Sequence, residues 1–182
     1  MPRRLTIWTV GHSTRPISEF TDLLRAHEIE LLVDVRTIPH SRHNPQFNTD
    51  RLALSLRNTG LDYRHLPELG GLRKPKKDSS NDGWRNASFR GYADYMQTDK
   101  FQRALEELMV HGTGTKRAIM CAEAVPWRCH RSLIADALVS RGCDIRHIMS
   151  PEKATPHVLT SFAHSEKGTL IYPKPTDPAS LF

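Results

Sequence analysis

Short apolar runs alternate along the chain with stretches in which apolar residues recur every three or four positions, the signature of strands alternating with helices. Residues 5–10 read as a first strand, closed by Gly11, His12 and Ser13. Phe20, Leu23 and Leu24 then share one helical face, with Ser18 as the expected N-cap. Residues 31–36 are almost continuously apolar, as expected of a buried parallel strand. A polar loop over 40–48 leads into a helix over 49–58, with Leu52, Leu54 and Leu56 apolar and Gly60 past its end. Residues 61–66 form a third strand, stopped by Pro67. The stretch 68–87 is rich in Gly, Lys, Pro, Ser and Asp and predicts a long, partly mobile surface loop. Helical patterns return over 88–97 and 99–111, with Thr98 as the cap between them. A strand over 117–121, a helix over 130–141 ahead of Gly142, and a strand over 144–149 follow. A short helix near 156–163 and a Pro-rich tail complete the chain.

This alternation predicts an α/β fold: a single three-layer domain with an about five-stranded, mainly parallel sheet and helices on both faces, Rossmann-like in class. The length of 182 residues suits one domain, with 1–150 as the α/β unit and 151–182 as a C-terminal helix and tail. Right-handed crossovers bring the carboxyl ends of all parallel strands to one edge. His12, Arg36, Pro67-Glu68 and Cys121 each stand at such an end, where open α/β sheets take their ligands.

Composition narrows the class. Hydrophobic content of 38% and charged content of 25% fit a soluble globular protein. No apolar run approaches the ~20 residues of a membrane helix, and no long apolar stretch follows Arg3-Arg4, so neither a membrane partner nor a signal peptide is expected. Three cysteines, two of them in one loop, fit a reducing compartment, and the expected location is cytoplasmic. Residues 36–90 hold 11 Lys+Arg against 5 Asp+Glu, an excess equal to the net charge of +6 of the whole chain. Such a segment suits an anionic small molecule or nucleic acid as partner, and equally a solvated, solubilising face.

The densest chemistry lies between the strand at 117–121 and the helix at 130–141. There Cys121, Glu123, Arg128, Cys129, His130 and Arg131 fall within eleven residues. A thiol on such a turn faces a helix N-terminus and nearby guanidiniums, and both favour the thiolate. Cys121 is the candidate nucleophile, against the plainer reading of a buried core cysteine. Cys129 is a possible resolving thiol or a packing residue, and Cys143 reads as structural. Arg131 and Arg128 are placed to bind an anion. Glu123 is a candidate acid or base, or an ion-pair partner of one of them. His130 is a candidate proton carrier or a helix cap.

Elsewhere, His12 with Ser13 is a candidate anion or proton site, with Gly11 permitting close approach of a ligand. Asp34, in the middle of an apolar strand, needs buried partners, for which Arg36, Arg131 and His12 are the candidates. Tyr92 and Tyr95 share a helix face, for packing or for stacking on a base. The spacing of Cys121 and Cys129 is not that of a structural zinc site, whereas His40 and His43 are spaced as half of a catalytic metal site.

The segments Thr9–Ser13, Val33–Arg36, Asn44–Phe47, His65–Gly71 and Phe89–Met96, together with Cys121-Ala122-Glu123 and Cys129-His130-Arg131, strongly resemble the domain of unknown function 488 family of bacteria and archaea. The resemblance spans about residues 5 to 150 and implies a cytoplasmic α/β domain without an established activity. A looser similarity is to rhodanese-like domains, in the strand Leu32–Arg36, the strand ending at Cys121, and the helix beginning Arg131-Ser132. Nine residues separate Cys121 from Arg131, more than in rhodaneses, so the similarity implies a thiolate beside an anion pocket more than sulfur transfer itself.

The expectation is therefore a cysteine-dependent enzyme with a basic anion pocket, engaged in thiol, sulfur or nucleotide-related chemistry. The alternatives are a nucleic-acid-binding or processing module using residues 36–90, with Lys74, Lys76 and Lys77 on phosphates and Trp84, Phe89 and Tyr92 as stacking faces, or a metal-dependent catalytic site built from the His and Cys residues. No particular cofactor and no oligomeric state follows from the sequence.

Overall fold

The apolar runs become strands where their pattern places them. In the computed structural model, which describes residues 4–110 and 114–175, five parallel strands form the centre of one sheet. They are β1 (Thr6–Gly11), β2 (Leu31–Asp34), β3 (Asp62–His65), β4 (Arg117–Cys121) and β5 (Asp144–Ser150). The helices between them are α1 (Ile17–Ala26), α2 (Thr49–Asn58), α3 (Ala87–Met96), α4 (Asp99–Val110) and α5 (Arg131–Ser140). A sixth strand, β6 (Lys153–Pro156), pairs antiparallel with β5, giving the order β3-β2-β4-β1-β5-β6. A separate hairpin joins β7 (His164–Glu166) to β8 (Thr169–Ile171). The expected residues 111 and 176–182 of the α4 helix and the tail lie outside the described residues.

Strand parity divides the core into two layers. On β4, Ala118 and Met120 pack with Phe20, Leu24, Leu52 and Leu56 of α1 and α2. Ile119 and Cys121 face the other way, into the cluster built by α3, α4 and α5. The chain is thus a three-layer α/β domain. Leu54, expected to be apolar-facing, is exposed, because a residue two positions from Leu52 cannot share its helical face.

Two local expectations are corrected. α1 begins one residue before Ser18, with Pro16 at the N-cap position and no side-chain cap. No helix forms near 156–163: the polar run after β5 turns back as β6, and Pro156 sits at the edge of the sheet, where a missing N–H is tolerated. Residues beyond 150 are built into the same body, with Tyr172 fully buried in the α3–α5 layer. Thr98 does cap α4, its Oγ1 accepting from the Phe101 N–H.

The stretch expected to be a mobile loop is fastened by one carboxylate. Asp94, buried on α3, accepts from Lys76 N (2.7 Å), Ser79 Oγ (2.6 Å) and Asn81 Nδ2 (2.8 Å). Asn81 in turn accepts from Tyr172 N at 2.9 Å. Gly91 lets the loop cross α3 closely, since a Cβ there would lie 2.3 Å from the Arg73 carbonyl oxygen. Three donors lose their acceptor together in Asp94→Ala. The expected cost is about 3 kcal/mol in urea unfolding, with faster amide exchange confined first to residues 76–81. An unchanged unfolding midpoint would show that the loop is held by other means.

Candidate active site

β2 and β4 are neighbours, yet the chain leaves them in opposite directions, from β2 towards β3 and from β4 towards β5. That divergence opens a crevice at their carboxyl ends, the usual ligand position in such sheets. On the other side of β4, Gly11 at the end of β1 is the register partner of Cys121. The backbones of the two exits are joined beyond it, His12 N donating to Cys121 O and Ser13 N to Ala122 O, both at 3.0 Å. Gly11 allows the loop after β4 to fold over β1, because a Cβ would sit 2.0 Å from Glu123 O. The left-handed turn itself falls on Ser13, at φ 51°.

From here the loop runs through a short 3-10 turn at Pro126–Arg128 and returns Cys129 to Cys121. The two sulfurs lie 2.7 Å apart, both buried. Arg131, in the first turn of α5, is 1% exposed and holds them from behind. Its Nε donates to Cys121 Sγ at 2.9 Å, and its backbone N to Cys129 Sγ at 3.4 Å. Nη2 donates to the Glu123 carbonyl at 2.6 Å and Nη1 to Thr9 Oγ1 at 3.1 Å. Among the described residues no carboxylate pairs with this guanidinium, so the charge nearest to hand is a thiolate.

The pair releases its two protons unequally. The Cys121 S–H and Arg131 hold Cys129 down to about 7, whereas burial, and the charge already on its neighbour, push Cys121 well up. These directions favour one negative charge on the pair before two, with Cys129 as its more acidic member. The donors run in one direction, from Arg131 Nε–H to Cys121 and from Cys121 S–H to Cys129. His130 donates from Nε2 to Val35 O at 3.0 Å, which leaves its Nδ1 lone pair 3.5 Å from Cys129 Sγ. Burial lowers the His130 pKa and keeps the ring neutral.

A second network occupies the other face of the sheet. Asp34 accepts from Arg36 Nε at 2.9 Å, from Arg36 Nη2 at 2.6 Å and from Tyr63 Oη at 2.8 Å. Arg36 Nη1 donates to His12 Nε2 at 3.2 Å, and His12 Nδ1 donates to Ser13 O at 2.7 Å. His12 stacks on Phe47 with centroids 4.1 Å apart. Of the partners expected for Asp34, only Arg36 bonds it directly. His12 is one bond removed, and Arg131 lies across the sheet, because residues of opposite parity on the strands face opposite layers. Both His12 nitrogens are engaged, so the ring orients Arg36 and does not carry protons in this state.

The thiols and Arg36 meet in a cavity of about 360 Å³ between the two networks. Arg36, Arg128 and Glu123 supply its charge, and Ile38, Leu72, Phe89 and Tyr92 its apolar wall. Leu72 is 84% exposed at the rim and adopts a φ of 61°, a strained conformation for leucine. Glu123 presents its side chain to solvent, and its carbonyl is what Arg131 uses. The ring of Tyr92 packs against His130 and its hydroxyl donates to Leu69 O, while Trp84 and Phe89 pack edge to face, so these rings form no exposed stacking row. Lys74, Lys76 and Lys77 are exposed on the fastened loop. Among the described residues no three His, Cys, Asp or Glu side chains are grouped to hold a metal ion, and none is long and apolar enough as a helix to cross a membrane.

The sequence reading missed Thr9, Asp136, His147, His157 and Tyr172, which lie behind Arg131. One signal was present: Asp136 interrupts the apolar run Leu133–Leu138, and a buried carboxylate demands partners. Those partners come from distant segments that no spacing connects.

A family model described as "Domain of unknown function DUF488" matches residues 16–138. No curated protein and no solved structure matches the chain.

His12 and His147 are each lowered from 6.5 to about 4, foremost by burial. Above about 6.5 the folded and unfolded chains are equally unprotonated at these rings. As pH falls from there towards 4, the unfolded chain takes up protons that the folded chain does not, so stability is lost across that window and levels off below it. Between about pH 6.5 and 5 the expected loss is on the order of 2 kcal/mol for each ring. Urea titrations check the loss, and imidazole NMR signals checks its source: titration of either ring near 6.5 would contradict the assignment.

Proposed function

We propose, for a chain that belongs to the DUF488 family, that it is a dithiol enzyme acting on an anionic small molecule that carries an electrophilic sulfur. The observation that carries the reading is the buried Arg131 guanidinium donating to Cys121 Sγ, with Cys129 in contact with that sulfur. A cation held there without a carboxylate favours one negative charge on the pair at neutral pH.

The cavity supports the choice of substrate. Arg36 and Arg128 suit an anionic end, and Ile38, Leu72, Phe89 and Tyr92 suit an apolar body. With a thiosulfonate as substrate, the Cys129 thiolate attacks the outer sulfur. The S–S bond breaks, the sulfinate leaves with the bonding electrons, and Cys129 carries a persulfide. The proton of Cys121 passes to the outer sulfur as Cys121 attacks Cys129 Sγ, which releases hydrosulfide and leaves a Cys121–Cys129 disulfide. A dithiol reductant then restores both thiols. His130 Nδ1 is a proton acceptor within reach of this exchange, and Cys121 takes the resolving role that the sequence gave to Cys129.

The test is alkylation of each cysteine by iodoacetamide against pH, followed by peptide mass. Cys129 is expected to react with an inflection near 7, below the ~8.5 of a free thiol. Incubation of Cys121→Ser with a thiosulfonate should leave one added sulfur atom on Cys129, whereas the wild-type chain should release hydrosulfide and form the disulfide. An ordinary inflection with no sulfur uptake would sink the reading.

A further inference from the structure

Behind Arg131 a line of buried polar groups crosses the α3–α5 layer. Arg131 Nη1 donates to Thr9 Oγ1 at 3.1 Å, and Thr9 Oγ1 lies 2.7 Å from His147 Nδ1. His147 Nε2 is 2.9 Å from His157 Nδ1, and His157 Nε2 is 2.8 Å from Asp136 Oδ1. Asp136 also accepts from Thr160 N and Tyr172 Oη, each at 3.0 Å. Thr9, Arg131, Asp136 and His147 are all buried.

The proton positions follow from counting donors. A guanidinium has no acceptor, so at its end the line starts with an N–H directed at Thr9. The Thr9 hydroxyl proton finds His147 Nδ1 as its partner. If His147 Nδ1 held the proton instead, that buried hydroxyl would be left without an acceptor. His147 therefore carries its proton on Nε2 and donates to His157 Nδ1, and His157 donates from Nε2 to Asp136. Every bond points one way, and the line ends on a carboxylate that can only accept.

We infer that Thr9, His147, His157 and Asp136 are positioning residues: a one-way hydrogen-bonded line from a buried carboxylate that fixes Arg131 against the Cys121–Cys129 pair and thereby sets the acidity of that pair. The inference rests on the dithiol reading. Without the line, Nη1 of a buried cation lacks an acceptor and the side chain is free to turn Nε away from Cys121. Thr9, His147 and His157 lie outside the matched residues 16–138, so this supporting layer comes from parts of the chain that the family match does not cover.

The groups that face the pair are few. α5 contributes Arg131 and His130, and the loop before it Arg128 and Glu123. Across the cavity stand Arg36, held by Asp34 and His12, and Tyr92, with Arg73 near His130. Asp136 is faced by His157, with His147 behind it, and by Tyr172. Thr9→Val keeps the shape and charge of the strand while removing the link, and Thr9→Ser keeps the link.

The experiment measures the pH inflection of Cys129 alkylation in full-length wild type, Thr9→Val and Thr9→Ser. Thr9→Val should raise the inflection by about one pH unit, a tenfold slower reaction on the acidic side, and Thr9→Ser should keep the wild-type value. In parallel, nitrogen NMR of the wild-type chain should find both His147 and His157 protonated on Nε2 alone. A folded Thr9→Val with the wild-type inflection, or either imidazole protonated on Nδ1, overturns the inference while leaving the dithiol reading intact. If Thr9→Val does not fold, the tautomers decide. A wild type without a lowered inflection defeats the dithiol reading, and this inference with it.

Discussion

A buried guanidinium must be answered wherever it points, and most of the site follows from answering Arg131. Two carbonyls of the loop after β4 take Nη2, a hydroxyl from β1 takes Nη1, and a sulfur at the end of β4 takes Nε. Thr9 of β1 and residues 121–124, distant in sequence, are thereby held at one point. The cost of burying the charge is offset only when all of these acceptors are present together. The loop's path over Gly11, the return of Cys129 to Cys121 and the start of α5 are consequences of that requirement.

The two networks at the strand tips divide the work by sheet face. The layer under α1 and α2 fixes Arg36 through Asp34, Tyr63, Phe47 and His12, so a cation reaches the cavity in one orientation. The layer under α3 and α5 fixes the thiols. Neither network shares a side chain with the other; what joins them is the cavity and the backbone pairing of the β1 and β4 exits. A site of this kind has a preset charge pattern, positive on one wall and ionisable at the floor.

The elements with strong periodicity were legible from the sequence with little loss. The bounds of α2 and of β4 are those the pattern gives, and the α/β class follows from the alternation alone. Failures occurred where a local pattern was weak or where tertiary bonds replaced it. The polar run after β5 has no apolar stripe, and its strand exists because the open edge of β5 offers backbone groups to pair with. The stretch 68–87 looked mobile because its anchors, Asp94 and Tyr172, stand elsewhere in the chain.

The sequence by itself determined the fold class, the family and the cluster of Cys121, Cys129, His130 and Arg131, because hydrophobic period and local motif are properties of neighbouring residues. It also placed His12, Arg36 and Cys121 on one edge, since parallel strands share a direction. Only the tertiary structure decided which of these touch. Strand parity sent Asp34 and Arg131 to opposite faces, and folding set Cys121, pushed up by burial, against Cys129, held down by the Cys121 S–H and Arg131. Folding alone brought Thr9, His147 and His157 into line between Arg131 and Asp136. Pairings of this sort depend on distance and desolvation in three dimensions, and neither is written in the spacing of residues along a chain.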